Sequence, residues 1–208
     1  MRIGIIGAGN VGIGLTKLLK SKGHEILLSF SKDPNNLAQT AKSMGAKSGS
    51  VSDAVLFGEV IALATPWVAT KDAISQAGNA AARKILWDCT NALKADLSGM
   101  ALGTTTSAAE EIQKAAPWAR VVKAIPPFAE LMHTGSVRID GSGVGVFVAS
   151  DDAAAKVVVT SLVRDLGAEP SDAGPLVTAR YIEPEAFLLV QLAYKQGLGP
   201  KIGLKLLH

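Results

Sequence analysis

The chain opens on a short unbroken apolar run, Arg2–Ile6, then a glycine-rich turn. From about Asn10 to Lys22 the apolar residues fall at helical spacing and stop at Gly23. An unbroken run of this kind reads as a parallel strand buried on both faces, and a glycine just past a periodic segment reads as a helix stop. The same alternation recurs along the chain. Glu25–Phe30, Ala46–Ser48, Val60–Ala64, Lys84–Asp88 and Val121–Ile125 predict strands. Asn35–Met44, with Pro34 near its start, Ala69–Gly78 and Ala108–Ala116 predict helices. Strands alternating with helices predict a parallel sheet covered on both faces: an α/β, Rossmann-type doubly wound fold.

The texture changes slightly from Gly141. Gly143–Ala149 alternates like a strand, and Asp151–Leu166 is a helix begun on two acidic residues, which favour a helix N-terminus. Ala168–Asp172 is a strand, and Thr178–Gly197 is a long helical pattern that Pro184 either kinks or starts near Glu183. We therefore expect a nucleotide-binding unit over residues 1–140 and a small C-terminal α/β lobe over 141–208, with no repeats and no low-complexity linker between them.

Composition narrows the class. In 208 residues 48% are hydrophobic and 19% charged, an ordinary globular balance. A net charge of +3 without basic runs or an aromatic platform gives no footprint for nucleic acid, though it suits a polyanionic ligand. The lone Cys89 rules out an internal disulfide and a cysteine-rich metal site, and fits a reducing cytoplasm. His24, His133 and His208 have no metal-ligand spacing, so no metal is expected. No apolar run approaches the ~20 residues of a membrane span, and a strand at Arg2 leaves no room for a signal peptide.

The chemistry concentrates in Ile3–Leu15, IGIIGAGNVGIGL. Gly7, Gly9 and Gly12 form G-x-G-x-x-G between a strand and a helix, the context in which this motif binds a dinucleotide. Gly7 allows the tight turn, Gly9 lets backbone approach the pyrophosphate, and Gly12 lets helix and strand pack closely. The N–H groups near Asn10 and Val11 then face the phosphates. An NAD site ordinarily carries an acidic residue at the end of the second strand. Here Ser29, Phe30 and Ser31 stand there, followed by Lys32 and Asp33, so the Ser31 hydroxyl and the Lys32 ammonium are expected to hold a 2′-phosphate and select NADP(H). Asp33 would repel that phosphate if it pointed inward.

Other strand ends supply the walls. Thr65, Pro66 and Trp67 follow the fourth strand, with Trp67 read equally as a core aromatic. Thr90 and Asn91 are placed to hydrogen-bond the nicotinamide side, while Cys89 reads as a small buried residue. Trp87 and Trp118 read as packing residues. Pro126 and Pro127 fix a rigid loop after Ile125. Lys123 is expected to lie in solvent, and no side chain stands out as a general acid.

Taken together, GIIGAGNVG at Gly4–Gly12, Ser31-Lys32, Ala64–Trp67, the Ser107–Glu110 run, DAGPL at Asp172–Leu176 and the tail from Tyr194 through Gly197, Gly199 and IGLKLL resemble one family nearly end to end. It is the deazaflavin-dependent NADP oxidoreductases, which use coenzyme F-420 (F420). The same module is similar to the reductase domain of the Steap ferric reductases. The resemblance implies a homodimeric enzyme that passes a hydride between NADP(H) and F420, or a flavin, by stacking two flat rings without side-chain acid–base chemistry. It implies that Ile125–Phe128 and the tail near Ile202 line the rings, with Gly197 and Gly199 letting the tail turn over them. Pro126-Pro127 departs from the polar His-Thr or Phe-Asn-Thr steps of other members and removes polar contacts near the rings. The alternatives are an NADPH reductase acting on flavin, a metal chelate or a small carbonyl compound, and a non-catalytic NADP-binding sensor. The related hydroxyacid dehydrogenases add a large helical domain with a catalytic lysine, for which this chain is too short.

Overall fold

A computed structural model describes residues 1–31, 33–78 and 83–207. Six strands form one sheet: β1 (Arg2–Ile6), β2 (Glu25–Ser29), β3 (Lys47–Ser48), β4 (Val60–Leu63), β5 (Ile85–Asp88) and β6 (Arg120–Lys123). Their order is β3-β2-β1-β4-β5-β6, and every neighbouring pair is parallel. This is the doubly wound arrangement expected from the pattern, with a strand-order reversal between β1 and β4, where such sheets bind ligands. The apolar run of β1 is buried at all four positions from Ile3 to Ile6 because helices cover both faces.

Two core clusters lie on the two faces. One joins Ile3, Ile5, Leu15, Leu19 and Trp87 to Val146, Val148, Val159 and Leu162 of the C-terminal part, so that part shares the core of the sheet. The other joins Ile6, Ile61 and Leu63 to Ile112 and Leu176. α1 (Asn10–Ser21), α2 (Pro34–Ser43), α4 (Trp67–Ala77) and α5 (Ala108–Ala115) match expected helices to within two residues at either end. α3 (Val51–Phe57) was not expected from the apolar pattern. It is short, and Ser50 and Asp53 start it with a reciprocal capping box.

Beyond β6 come α6 (Ala129–His133), the antiparallel pair β7 (Arg138–Ile139) and β8 (Ser142–Gly143), β9 (Gly145–Val148), α7 (Ala153–Asp165) and β10 (Glu169–Asp172). β9 and β10 pair in parallel across α7. A single turn at Leu176–Thr178 leads into α8 (Ala179–Val190), which Pro184 does not break and which ends in a widened turn over Gln191–Lys195. The chain then turns at Gly197 and Gly199, both at φ 76°, in the left-handed region that glycine occupies without strain. No helix among the described residues is long and apolar enough to cross a membrane.

Candidate active site

The site begins at the strand-order reversal. Gly7, at φ 123°, turns the chain out of β1, and a Cβ there would strike the Ala64 carbonyl. A Cβ on Gly12 would run into the Gly7 carbonyl oxygen, so only glycine lets α1 pack this close. Gly9 differs: nothing lies within 4 Å of where its Cβ would stand. It is the N-cap of α1, no side chain caps it, and the first turn carries no acidic residue. The first-turn N–H groups of Asn10 and Val11 therefore have no partner within their helix, an arrangement suited to an anion. The end of β2 is tied to this loop, since Ser29 and Phe30 carbonyls accept the Gly7 and Ala8 N–H groups at 3.0 and 3.2 Å. Phe30 sits at φ 59°, a strained backbone for a bulky residue, at the edge of the loop.

From α1 a cleft of about 550 Å³ runs across the strand ends. Gly9, Asn10 and Val11 line one end, and Thr65, Pro66 and Trp67 line its flank. Trp67 also packs against the second core cluster, so it does both jobs weighed above. The Thr65 hydroxyl is buried and spent on Thr70, 2.9 Å away. At the far end Ile125–Phe128 meet Ile182, Ala186 and Leu189 of α8 and the tail at Ile202 and Gly203. The tail is fixed by the Leu204 carbonyl, which accepts the Gly145 N–H at 2.7 Å, and by Gly203, whose missing side chain makes room for Val144.

Thus Gly9, Asn10, Val11, Thr65, Pro66, Trp67, Asn91, Ile125 and Pro126 come together around one cleft, with Gly7 and Gly12 shaping its loop. Ser31 does not line it. Its hydroxyl accepts the Asp33 N–H at 3.2 Å, and Asp33 accepts the Asn36 N–H in the first turn of α2. Lys32 lies outside the described residues. Thr90 lines the cleft, and its hydroxyl donates to Asp88 at 2.7 Å, which leaves it an acceptor toward a ligand. Cys89 is buried, as expected, and burial pushes its thiol well above the ordinary range.

One expectation is overturned. Lys123 is not solvated; it is wholly buried. Although β6 ends the sheet, its outer edge is covered: Lys123 exchanges both backbone hydrogen bonds with Ala149, just past β9, at 2.8 and 3.0 Å. Its ammonium donates to Asp88 at 2.8 Å and to the Thr90 carbonyl at 2.6 Å, and stands 3.0 Å from Glu183 on α8. Burial works to lower its pKa, but the charges of Asp88 and then Glu183 outweigh it and hold the ammonium above the ordinary lysine value. Glu183 also accepts the N–H groups of Ala108 and Ala109 at 2.9 and 3.2 Å, so the start of α5 shares in balancing two carboxylates against one cation.

This buried cluster sets the cleft wall. Asp88 holds Thr90 by its N–H and hydroxyl, Lys123 holds the Thr90 carbonyl, and the Glu183 carbonyl accepts from Asn91 Nδ2 at 3.0 Å. With Nδ2 so engaged, Asn91 Oδ1 is left buried without a protein partner among the described residues. Sequence reasoning missed the cluster because its members lie 35 to 95 positions apart. The one local signal was a charged residue at each of two strand ends, at Asp88 and Lys123.

Comparison with known proteins agrees with this architecture. Residues 2–92 match the family described as NADP oxidoreductase, coenzyme F420-dependent. A candidate F420-dependent NADP reductase from Arthrobacter sp. FB24 is 28% identical, with all of both chains covered and a TM-score of 0.88. The hypothetical protein SMa0349 of Sinorhizobium meliloti is 25% identical over 100% of this chain and 95% of its own, at a TM-score of 0.73. The 3-hydroxyisobutyrate dehydrogenase of Mycobacterium tuberculosis shares the fold at 16% identity and a TM-score of 0.69, with 95% of this chain covered but only 66% of that one. Residues 2–92 are thus similar to the module of the coenzyme F420-dependent NADP oxidoreductases, and the chain is an NADP-dependent oxidoreductase.

Proposed function

We propose that this chain moves a hydride between NADP(H) and F420. The observation that carries this reading is the single cleft joining an open helix N-terminus at Gly9–Val11 to an apolar chamber between Ile125–Phe128, α8 and the tail. The N–H groups of Asn10 and Val11 hold the pyrophosphate. Ser31 and Lys32 receive the 2′-phosphate, which selects NADP over NAD. Thr65, Pro66 and Trp67 wall the dinucleotide. Asn91 Oδ1, lacking a protein donor, accepts from the carboxamide of the nicotinamide. Ile125 and Pro126 press the rings together and exclude water, and the missing polar groups at Pro126-Pro127 leave stacking as the main contact.

The active form we propose is a homodimer located in the cytoplasm. α8 and the tail expose Tyr181, Leu188, Tyr194, Leu198, Leu206 and Leu207, a density of bare apolar side chains that a second copy would cover. Titration with NADPH and NADH, followed by oxidised F420, tests the reading. The expected result is tighter binding of NADPH and a fall in its absorbance on adding F420. Tight NADPH binding without any hydride exchange would overturn it.

A further inference from the structure

α8 turns Ile182, Ala186, Leu189 and Val190 to the cleft, a face that is otherwise apolar. In the middle of it stands Glu185. Carboxylates elsewhere at this end have partners. Glu183 meets Lys123, Glu110 meets Arg180, and Glu130 accepts the Tyr194 hydroxyl at 2.8 Å. Glu185 has no hydrogen bond or ion pair among the described residues. Its turn of helix is fastened beside Asn91, through the Glu183 carbonyl. The other charged or titratable groups on the cleft are Lys94, Glu130, Tyr194 and Cys89. Of these, Tyr194 is pushed up to about 12, by burial first and then by Glu130, and the Cys89 thiol is raised well above the ordinary range, so neither exchanges a proton near neutrality.

A half-buried, unpaired carboxyl in an apolar wall is unfavourable when ionised and serves no evident structural bond. Burial pushes it above the ordinary glutamate range, toward the pH at which a general acid is useful. We propose that Glu185 is the proton donor and acceptor of this cleft, acting on a conjugated heterocycle that gains a hydride at carbon and a proton at a ring nitrogen or oxygen. The assignment rests on the hydride-transfer reading above and deepens it. The C–H bond at the nicotinamide C4 of NADPH breaks with its electron pair, which forms the new C–H bond on the acceptor. The Glu185 O–H bond breaks, and its proton goes to the acceptor heteroatom. The carboxylate left behind regains a proton from water. The sum is NADPH, acceptor and one proton giving NADP⁺ and the reduced acceptor.

The test compares wild type with E185Q and E185D in two readouts. The first needs no turnover: infrared difference titration of the protein alone should show a carboxyl that stays protonated above the ordinary glutamate range and is missing in E185Q. The second is the pH profile with NADPH and oxidised F420. E185Q should lose at least tenfold in kcat and the limb that falls as pH rises, with its Kd for NADPH within twofold of wild type. E185D should recover part of the rate. An ordinary titration at position 185, or an E185Q profile that overlays wild type, would overturn the assignment while leaving hydride transfer standing. A wild type that reduces neither F420, flavins nor ferric chelates would overturn both.

Discussion

At the glycine-loop end of the cleft the groups that face a ligand are backbone. Gly9, Asn10 and Val11 present N–H groups at the start of α1, and the glycines around them are fixed by close approach to the carbonyls of Gly7 and Ala64. At the α8 end the wall is held by buried side-chain charge: Asp88, Lys123 and Glu183 bind one another and, through Thr90 and Asn91, the edge of the cleft. The first end depends on the absence of side chains and the second on their pairing. Substitutions should therefore act differently at the two ends, by filling space at one and by stranding charge at the other.

The largest effect is expected at the charged end. K123M leaves two carboxylates in a dry core with no cation, and breaking a buried ion cluster in this way costs about 3–5 kcal/mol. Urea unfolding should show that loss as a lower midpoint with an unchanged slope. Neutralising the partners as well, in D88N/K123M/E183Q, should return most of it, because the penalty belongs to unpaired charge more than to lost packing. If K123M proved as stable as wild type, the cluster would not hold this end together.

At the backbone end two neighbouring glycines should separate. G12A forces a methyl against the Gly7 carbonyl and should cost about 1–3 kcal/mol, as overpacking does, while also spoiling the loop. G9A adds a methyl to open space at φ −84°, where alanine fits, so stability should move by no more than about 0.5 kcal/mol. If the loop holds the pyrophosphate as proposed, the same methyl stands in its path, and the Kd for NADPH should rise about tenfold or more, about 1.4 kcal/mol. Equal binding by G9A and wild type would remove the pyrophosphate from this loop.

These two ends also differ in how far they could be read from the chain. The glycine loop is contiguous, its roles follow from sterics at adjacent positions, and β1, α1 and β2 form where the pattern puts them. α3 escaped because seven residues are too few for helical periodicity to show, although its Ser50–Asp53 capping pair was visible. Lys123 was misplaced for a physical reason: whether an end strand faces solvent is decided by what later covers it, here the chain just after β9. Glu185 carried a readable signal, a carboxylate on the apolar face of a helix, but that face had a meaning only once the cleft it borders was known.

The smallest effect sharpens the contrast through pH. α8 is pinned to α5 a second time, by Arg180, whose guanidinium donates from Nε and Nη2 to the two oxygens of Glu110 at 2.9 and 2.6 Å. The hydrogen bond from Arg180 holds the Glu110 carboxyl below the usual carboxylate range, ahead of the opposing effect of burial. A carboxyl whose folded pKa is depressed adds stability that is complete above its unfolded value, and that stability fades as pH falls through the folded one. R180Q should remove about 1 kcal/mol at neutral pH, the upper range for an exposed or half-exposed pair, and should flatten the acid limb of stability below the ordinary glutamate pKa. Hydrogen exchange followed as the pH falls below the ordinary glutamate range should then show α8 opening before α1 in wild type, since the Arg180–Glu110 pair that fastens α8 is lost there. If α1 and α8 opened together, the fold would yield to acid as one unit, and the division between a backbone end and a charged end would hold for binding but not for stability.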